Sequence, residues 1–399
     1  MLTIPDAPSR PWAGWAGRTA PDVLMVLPHF APAIGGTEGQ AGCLAAGLAA
    51  RGHRVTVLTL ARPDAPARET REGVMIERTV TARGRGLVFA VTYGASLLRQ
   101  LRRLRADRSI LHAHHLYLEA LAAAWVGRRG GLPAIAKVAC GGADGDFARL
   151  RRTGIIHGLP LLRRLRRVVA ITGEIESELL AHAFPADRIV RIPNGVDVDR
   201  FFPPRDPDAA RERVGLAPES VLFLGRLEAQ KGLDGALQAW SQVARRRAGA
   251  QLVLAGEGPA RADLEAQSQR LGLGNSVRFL GRRADPEDLL RAGQIFLLPS
   301  RSEGMANALL EAMATGLACV ATRIGGNSEL LAHGVTGLLV PPGNVEALAD
   351  ALLALLEDPG LRRQLGTAAR AAAVERYGMD RVVRRYADLY AELLEVAVR

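Results

Sequence analysis

The 399-residue chain is poor in cysteine, in aromatic residues and, most unusually, in lysine. Its three cysteines, Cys43, Cys140 and Cys319, stand far apart and show neither a disulfide framework nor a metal-ligand spacing, for which a reducing compartment is the simplest reading. Aromatic residues make up 5% of the chain and form no run among the basic residues, so there is little stacking surface for a single-stranded nucleic acid. No charge-free apolar run reaches the roughly 20 residues that span a bilayer. The stretch from Val23 to Thr37 is short and broken by proline and glycine. Asp6, Arg10 and Arg18 interrupt residues 1–22 before any continuous apolar core, which argues against a signal peptide. These absences predict a cytoplasmic protein, either free or held peripherally at the inner face of the membrane, with no nucleic-acid partner.

What the chain does contain is a globular balance of 48% apolar and 23% charged residues, which excludes a wholly disordered or collagen-like polymer. The length suggests two or three domains, each able to bury its own core. Of 52 basic residues only Lys137 and Lys231 are lysines. The net charge is +11, and it is unevenly placed: residues 1–200 hold 28 basic and 17 acidic residues, residues 201–399 hold 24 of each. Codon bias can explain why the basic residues are arginines, but not why acids balance them in one half only.

A short apolar run at 23–27 predicts a buried strand, and Ala41, Leu44, Ala45 and Leu48 recur at helical spacing across Thr37–Arg51. Gly52 then stops the helix and Val55–Leu60 reads as a second strand, completing a βαβ unit of a parallel sheet. The same grammar restarts with strands predicted at Val221–Leu224, Gln251–Ala255, Val277–Leu280, Ile295–Leu298 and Ala318–Ala321, and a helix at Leu233–Arg245. Two βαβ series imply two doubly wound α/β domains. The connector between them is placed at Pro193–Pro204.

Four constellations can carry chemistry. Gly35-Gly36 precedes a helix and either cradles a phosphate or forms a plain tight turn. Gly225-Arg226 to Lys231-Gly232 follows a predicted strand, where a diphosphate can meet a guanidinium fork and a mobile ammonium; the other reading is a solvated turn. Glu303 and Glu311 flank the start of a helix expected after Gly304. On it Asn307 and Glu311 share a face, and backbone N–H groups near Met305–Asn307 can meet an anion while the carboxylates accept from sugar hydroxyls. The bland version is a helix-start Glu favoured by the macrodipole and an exposed mid-helix Glu. Last, His112, His114 and His115 close an apolar run; no companion Cys/His pair suggests a metal, and His114 is either a histidine facing a cleft or part of the core. The pairs Asp197/Asp199, Asp144/Asp146 and Asp206/Asp208 have a spacing that can hold a divalent ion, but two lie in or near the connector and the other is indistinguishable from an acidic loop. Gly256-Glu-Gly258-Pro259 lacks the third glycine of a dinucleotide fingerprint.

In order and spacing these elements resemble the retaining glycosyltransferases of family four. The resemblance runs from about residue 23 and includes Leu-Ala-Ala-Arg-Gly-His-Arg-Val-Thr-Val at 48–57, Ile192-Pro-Asn-Gly-Val-Asp197 with Arg200-Phe201, the Arg226/Lys231 loop, Ala255-Gly-Glu-Gly-Pro259, the Glu303/Glu311 element and Gly337-Leu-Leu-Val-Pro341. It implies the GT-B fold, two Rossmann-like domains facing a central cleft. The boundaries it suggests are a tail at 1–22, an acceptor domain at 23–195 joined by the returning helix 379–399, and a donor domain at 196–378. Carried over position by position, Gly225, Arg226 and Lys231 belong to the diphosphate site and Glu311 holds the ribose hydroxyls. Glu303 holds the transferring sugar, and Gly304, Met305, Ala306 and Asn307 support sugar and phosphate. Gly35 and Gly36 close over the diphosphate, and His114 lines the reaction centre. The catalytic set is then His114, Glu303, Arg226 and Lys231, with a nucleotide-sugar donor, a glycan or lipid-linked acceptor, and neither metal nor cofactor. Ala306 stands where the family's commonest motif has a second glycine, which leaves the donor's identity open.

Other GT-B chemistries, a nucleotide-sugar epimerase or a sugar phosphorylase, compete with transfer, and a basic nucleic-acid-binding protein is the reading from another class. The surplus charge concentrates at residues 97–108, where Arg99, Arg102, Arg103, Arg105 and Arg108 surround Leu97, Leu98, Leu101 and Leu104. A second cluster gathers Arg149, Arg151, Arg152, Arg163, Arg164, Arg166 and Arg167. Either cluster contacts anionic headgroups, or the leucines pack inward and the arginines are solvated.

Overall fold

The computed structural model describes residues 20–32, 35–106, 109–142 and 145–398, without the side chains of 396–398. Asp6, Arg10, Arg18, Arg108 and Asp144 lie outside the described residues. The chain divides into two compact units. One runs to Asn194 and resumes at Met379; the other is Gly195–Gly378.

The first unit is built on strands β1 (Asp22–Val26), β2 (Val55–Leu60), β3 (Arg68–Arg71), β4 (Val74–Val80), β5 (Ser109–Ala113), β6 (Ala134–Val138), β7 (Arg167–Ala170) and β8 (Ile189–Arg191). They form one sheet in the order β3-β4-β2-β1-β5-β6-β7-β8. Every neighbouring pair is parallel except β3 with β4. Parallel neighbours need crossovers, and helices supply them. The first, Gly36–Ala49, buries Ala41, Leu44, Ala45 and Leu48, the four positions whose spacing signals it.

The helix Met379–Val398 belongs to this unit. Val382, Val383, Tyr386, Leu389, Tyr390 and Leu393 recur every three or four residues and are all buried. Its approach to the helix Gly36–Ala49 depends on Gly47, because a Cβ there would lie 2.6 Å from Cγ2 of Val383. Ion pairs from Arg51 to Asp380 and from Arg167 to Glu392 also fasten this helix, but both carboxylates are exposed and contribute little. The buried aliphatic and aromatic side chains hold it, each contributing about 1.5–3 kcal/mol.

The second unit carries β9 (Ser220–Leu224), β10 (Gln251–Ala255), β11 (Val277–Gly281), β12 (Ile295–Leu298), β13 (Ala318–Thr322) and β14 (Leu338–Val340), ordered β11-β10-β9-β12-β13-β14 and parallel throughout. The chain winds one way from β9 and the other way from β12. The gap beyond the carboxyl ends of those two strands is therefore the sheet's switch point, where open α/β sheets bind ligands. In the first unit the corresponding point lies between β1 and β5.

Candidate active site

The two loops that leave the switch point of the second unit contain the residues singled out by sequence. The loop after β9 holds Gly225, Arg226 and Lys231; the loop after β12 runs from Pro299 to Ala306, with Glu303 and Gly304. Lys231 Nζ donates to Glu303 Oε1 at 2.6 Å, and Ser300 Oγ donates to the same oxygen at 2.6 Å. Both members of this ion pair are mostly enclosed, which strengthens the attraction and raises the cost of losing either partner. Arg226 is different: its side chain is 74% exposed and its Nε lies 2.5 Å from Glu228 Oε1, so its guanidinium stands in solvent.

The backbones of the two loops are also joined. Arg301 N donates to Gln230 O at 2.8 Å, Gln230 Nε2 to Ser302 O at 2.9 Å, and the Arg301 guanidinium to Ala229 O and Asp234 Oδ2, each at 2.6 Å. Gly232 adopts φ +64, and a Cβ there would lie 2.2 Å from Pro299 O. Glycine is therefore required where the loops cross. None of Ser300, Arg301 and Gln230 was singled out from the sequence. Their signal is weak, a serine three residues before Glu303 and polar side chains in glycine-bounded loops.

The glycines of Gly256-Glu-Gly258 have a structural purpose. A Cβ on Gly256, φ +153, would lie 1.8 Å from Gly225 O, and one on Gly258 2.3 Å from Leu227 O. Leu227 N donates to Glu257 O and Ala260 N to Leu227 O, both at 2.9 Å. This motif presses against the Arg226 loop and shapes it from behind. A second support was missed from sequence: Gly325-Gly326-Asn327, at the turn after β13. A Cβ on Gly326 would lie 1.8 Å from Gly304 O, and buried Asn327 donates from Nδ2 to Thr322 O at 3.0 Å, while the Thr322 hydroxyl donates to Ser300 O.

The helix expected after Gly304 begins at Asn307 and runs to Thr315. Its first internal hydrogen bond is from Leu310 N to Ala306 O, at 3.2 Å. The positive end of its dipole therefore faces the Glu303 loop. Glu311 lies just over one turn inside. Desolvation pushes its carboxyl up to about 7, against the pull of Arg200 and with a smaller push from Glu287. A carboxyl so poised changes charge near neutral pH.

Among the described aspartates of these pairs, Asp197 and Asp206 serve a turn and a helix cap and Asp146 tethers two neighbouring loops. Asp197 Oδ1 accepts from the N–H groups of Asp199 and Arg200 at 3.1 and 3.0 Å, and Asp206 caps the helix Pro207–Val214 through the N–H groups of Asp208 and Ala209. Asp146 accepts from Leu116 N at 3.3 Å and Ala139 N at 3.2 Å.

In the first unit, Gly35 and Gly36 form the N-terminus of the helix Gly36–Ala49. Gly35 is extended at φ −158, a conformation any residue adopts, and Glu38 folds over this end of the helix. His114 follows β5 and is fully buried, its ring stacked 4.2 Å from that of His112. His112 Nδ1 lies 2.7 Å from Tyr390 Oη, whereas His112 Nε2 and both ring nitrogens of His114 have no hydrogen-bond partner among the described residues. Burial holds His112 down to about 3 and His114 well below its ordinary value, so both rings are neutral. Lys137 in β6 is also enclosed. Burial lowers it to about 8, and its Nζ donates to Asn194 Oδ1 at 2.7 Å. The two lysines thus do different work, one tying Asn194, where the chain leaves the first unit, into that unit's core and the other at the switch point of the second.

Two parallel sheets with loops gathered at their switch points define the architecture of GT-B glycosyltransferases. Solved structures agree: a sucrose-phosphate synthase of Thermosynechococcus elongatus superposes with a TM-score of 0.81 at 22% identity, over 94% of this chain and 100% of that one. HepE of Anabaena, in complex with UDP-glucose, gives 0.78 at 22% over 93% and 100%. The pattern of "Glycosyltransferase Family 4" matches residues 34–200 and that of "Glycosyl transferases group 1" residues 205–372, and the chain belongs to this family. Among curated relatives, the alpha-D-kanosaminyltransferase of Streptomyces kanamyceticus is 31% identical over 242 residues, 58% of this chain and 62% of that protein. The chain thus spans about three-fifths of the length of that relative.

Proposed function

We propose that the protein is a retaining glycosyltransferase that moves a hexosyl-type sugar from a nucleotide-diphosphate sugar to a glycan or lipid-linked acceptor in cell-surface polysaccharide or glycolipid synthesis. The observation that carries this reading is the Lys231–Glu303 pair beside the start of the helix Asn307–Thr315, at the switch point of the donor unit. Relatives named for glycosyl transfer, and HepE with bound UDP-glucose, support the donor class.

Breaking the bond between sugar and diphosphate places negative charge on the leaving phosphate. Arg226, Lys231 and the N–H groups at Met305–Asn307 meet that charge with preorganised positive ends, so the step requires no metal. Glu303 accepts from hydroxyls of the transferring sugar and Glu311 from the ribose. The departing phosphate oxygen takes the acceptor's proton on the face where the new bond forms, which retains the anomeric configuration without a covalent nucleophile. Roles for Gly35 and Gly36 toward the diphosphate, and for His114 at the reaction centre, rest on the family resemblance. Desolvation limits His114 to service as a neutral hydrogen-bonding ring.

The test is a screen of radiolabelled nucleotide sugars against lipid-linked and soluble acceptors, with the product anomer read by NMR in the presence of chelator. Transfer with retention supports the reading. Change of the donor sugar without acceptor makes the protein an epimerase, a requirement for inorganic phosphate makes it a phosphorylase, and loss of transfer with chelator overturns the metal-free step.

A further inference from the structure

The helix Gly86–Leu104 carries two apolar stripes where a helix packed on a sheet needs one. The inner stripe, Tyr93, Leu97 and Leu101, is buried. The outer stripe starts with Leu87 and Val91, which are 79% and 61% exposed, and continues through exposed Ala95 to half-buried Leu98, at positions that return to one face every three or four residues. Val88 beside it is 58% exposed. Single exposed apolar residues are ordinary, but a contiguous set on two turns of one helix marks a contact surface.

The charges carried by this helix and its flanking turns are all of one sign. No carboxylate occurs between Glu77 and Asp107, an interval holding buried Arg78, which pairs with Glu69, and then Arg83, Arg85, Arg99, Arg102, Arg103 and Arg105. Arg85 is the N-cap residue of the helix, and its first turn has no acidic side chain. The positive end of the dipole thus meets arginines rather than the carboxylates that usually compensate it. Arg83 is held at this end, since its N–H donates to Thr92 Oγ1 at 2.9 Å. At the other end Arg102 continues the outer stripe, and exposed Arg105 follows as the extended C-cap residue. The Arg102 guanidinium lies 4.4 Å over the Trp125 ring, with that of Arg129 at 4.3 Å from the same ring. Of the arginines expected from sequence to meet a membrane, Arg103 is engaged by buried Glu77 at 2.9 Å. In the second cluster Arg151 and Arg163 bond to His182. The basic stripe alone does not describe the surface; the apolar turns upstream of it do.

We propose that the outer face of the helix Gly86–Leu104 docks on an anionic phospholipid surface, with Leu87, Val88 and Val91 entering the headgroup boundary and Arg83, Arg85, Arg102 and Arg105 meeting phosphates on either side. The apolar turns supply insertion, and a segment with no carboxylate of its own supplies charge complementarity. Among the described residues no helix is long and apolar enough to cross a membrane, so this contact lies on the surface. The inference deepens the lipid-linked acceptor reading and rests on it.

Flotation of the full chain with vesicles of phosphatidylcholine alone, or with phosphatidylglycerol added, tests it. Binding is expected only to the anionic vesicles and to weaken with salt. Leu87→Ser/Val91→Ser lowers the partition at least about tenfold, and Arg83→Gln/Arg85→Gln lowers it about fivefold per arginine. Arg151→Gln/Arg152→Gln leaves it unchanged. Circular dichroism and melting check that each variant folds, which exposed positions favour. No anionic binding by the parent chain at low salt overturns the proposal, as does equal binding by Leu87→Ser/Val91→Ser. Self-association without lipid that the same double variant abolishes gives the face to a second copy instead. The thermal shift caused by UDP reads the donor unit separately. If UDP does not bind, the transferase reading fails while the vesicle result stands; if UDP binds and the vesicles do not, only the docking face is lost.

Discussion

Lys231 Nζ and Glu303 Oε1 lie 2.6 Å apart although 72 positions separate them in the chain. The pair joins the loop after β9 to the loop after β12, and so fixes an ammonium suited to phosphate against a carboxylate suited to sugar hydroxyls. A shift of either loop moves both groups, which makes their spacing a property of the sheet rather than of either side chain.

Removing one member of this pair therefore affects stability and turnover together. Lys231→Ala lowers kcat by about 10²–10³ if its charge meets the leaving phosphate. It also lowers stability by about 1–3 kcal/mol, because Glu303 keeps only Ser300 among its present partners. Lys231→Arg restores little, since a planar fork does not replace a compact ammonium. Arg226→Ala, at an exposed position, leaves stability within about 0.5 kcal/mol while weakening donor binding. Denaturant melts and steady-state kinetics on the three variants check this; wild-type kcat in Lys231→Ala refutes the assignment.

Glu311 gives the second unit a pH dependence of defined sign. Its folded carboxyl titrates at about 7, above the ordinary value of 4.5, so between these values the unfolded chain has released a proton that the folded one retains. Stability contributed at this site is full below pH 4.5 and declines as pH rises towards 7. Donor binding runs the other way, because a carboxylate accepts from two ribose hydroxyls and a carboxylic acid does so less well. UDP affinity is expected to rise between pH 6 and 8, and Glu311→Gln to flatten that rise and weaken binding at pH 8 by about tenfold. Calorimetric titration across this range reads both; an unchanged profile in Glu311→Gln removes Glu311 from the ribose.

Gly326 is a position where one methyl group should reach the site from outside it. The Cβ of alanine would overlap Gly304 O, a backbone atom that cannot rotate away, so Gly326→Ala forces apart the turn after β13 and the Glu303 loop. The expected cost is about 1–3 kcal/mol, accompanied by loss of UDP binding. Gly235→Ala, in the helix Leu233–Arg246 with nothing near its Cβ position, is the control and is neutral or slightly stabilising. Equal UDP affinity in Gly326→Ala and the parent chain would show that the Glu303 loop tolerates the push.

How much of this was legible in the sequence follows from which residues carry local signals. Val55–Leu60, Gln251–Ala255 and Ile295–Leu298 have the predicted bounds, because short stretches dominated by apolar and β-branched residues between turn signals mark largely buried strands. Lys231 and Glu303 were legible as candidates, since charged groups following such strands lie at the sheet's carboxyl end. Their direct pairing was not, for nothing local couples positions 72 apart. The helix start moved from just after Gly304 to Asn307, because the intervening residues form the loop packed on Gly326. His114 was legible as a strand-end histidine. Its enclosure was not, since the helix that brings Tyr386 and Tyr390 beside its stacking partner His112 comes from the far end of the chain. The outer stripe of the helix Gly86–Leu104 was not legible, because apolar residues surround the helix at 87–93 and only the packing shows which of them face outward.

His112 makes the first unit sensitive to acid, in the sense opposite to Glu311. Its folded ring titrates at about 3 and the unfolded one at 6.5, so below pH 6.5 the unfolded chain binds a proton that the folded chain refuses. Its contribution to stability is complete above pH 6.5 and is lost as pH falls towards 3, at up to about 1.4 kcal/mol per pH unit. His114, lowered by the same burial, adds in the same direction. Tyr390→Phe removes the hydroxyl at His112 Nδ1, leaves a buried nitrogen unpaired, and is expected to cost about 1–3 kcal/mol at pH 7. His112→Asn removes one titrating ring and should reduce the slope of stability against pH between 6.5 and 4.5 even if it lowers stability throughout. Chemical denaturation of both chains across that interval separates the two effects. Parallel slopes would mean that His112 carries its proton in the folded state across that interval, and would refute the assignment.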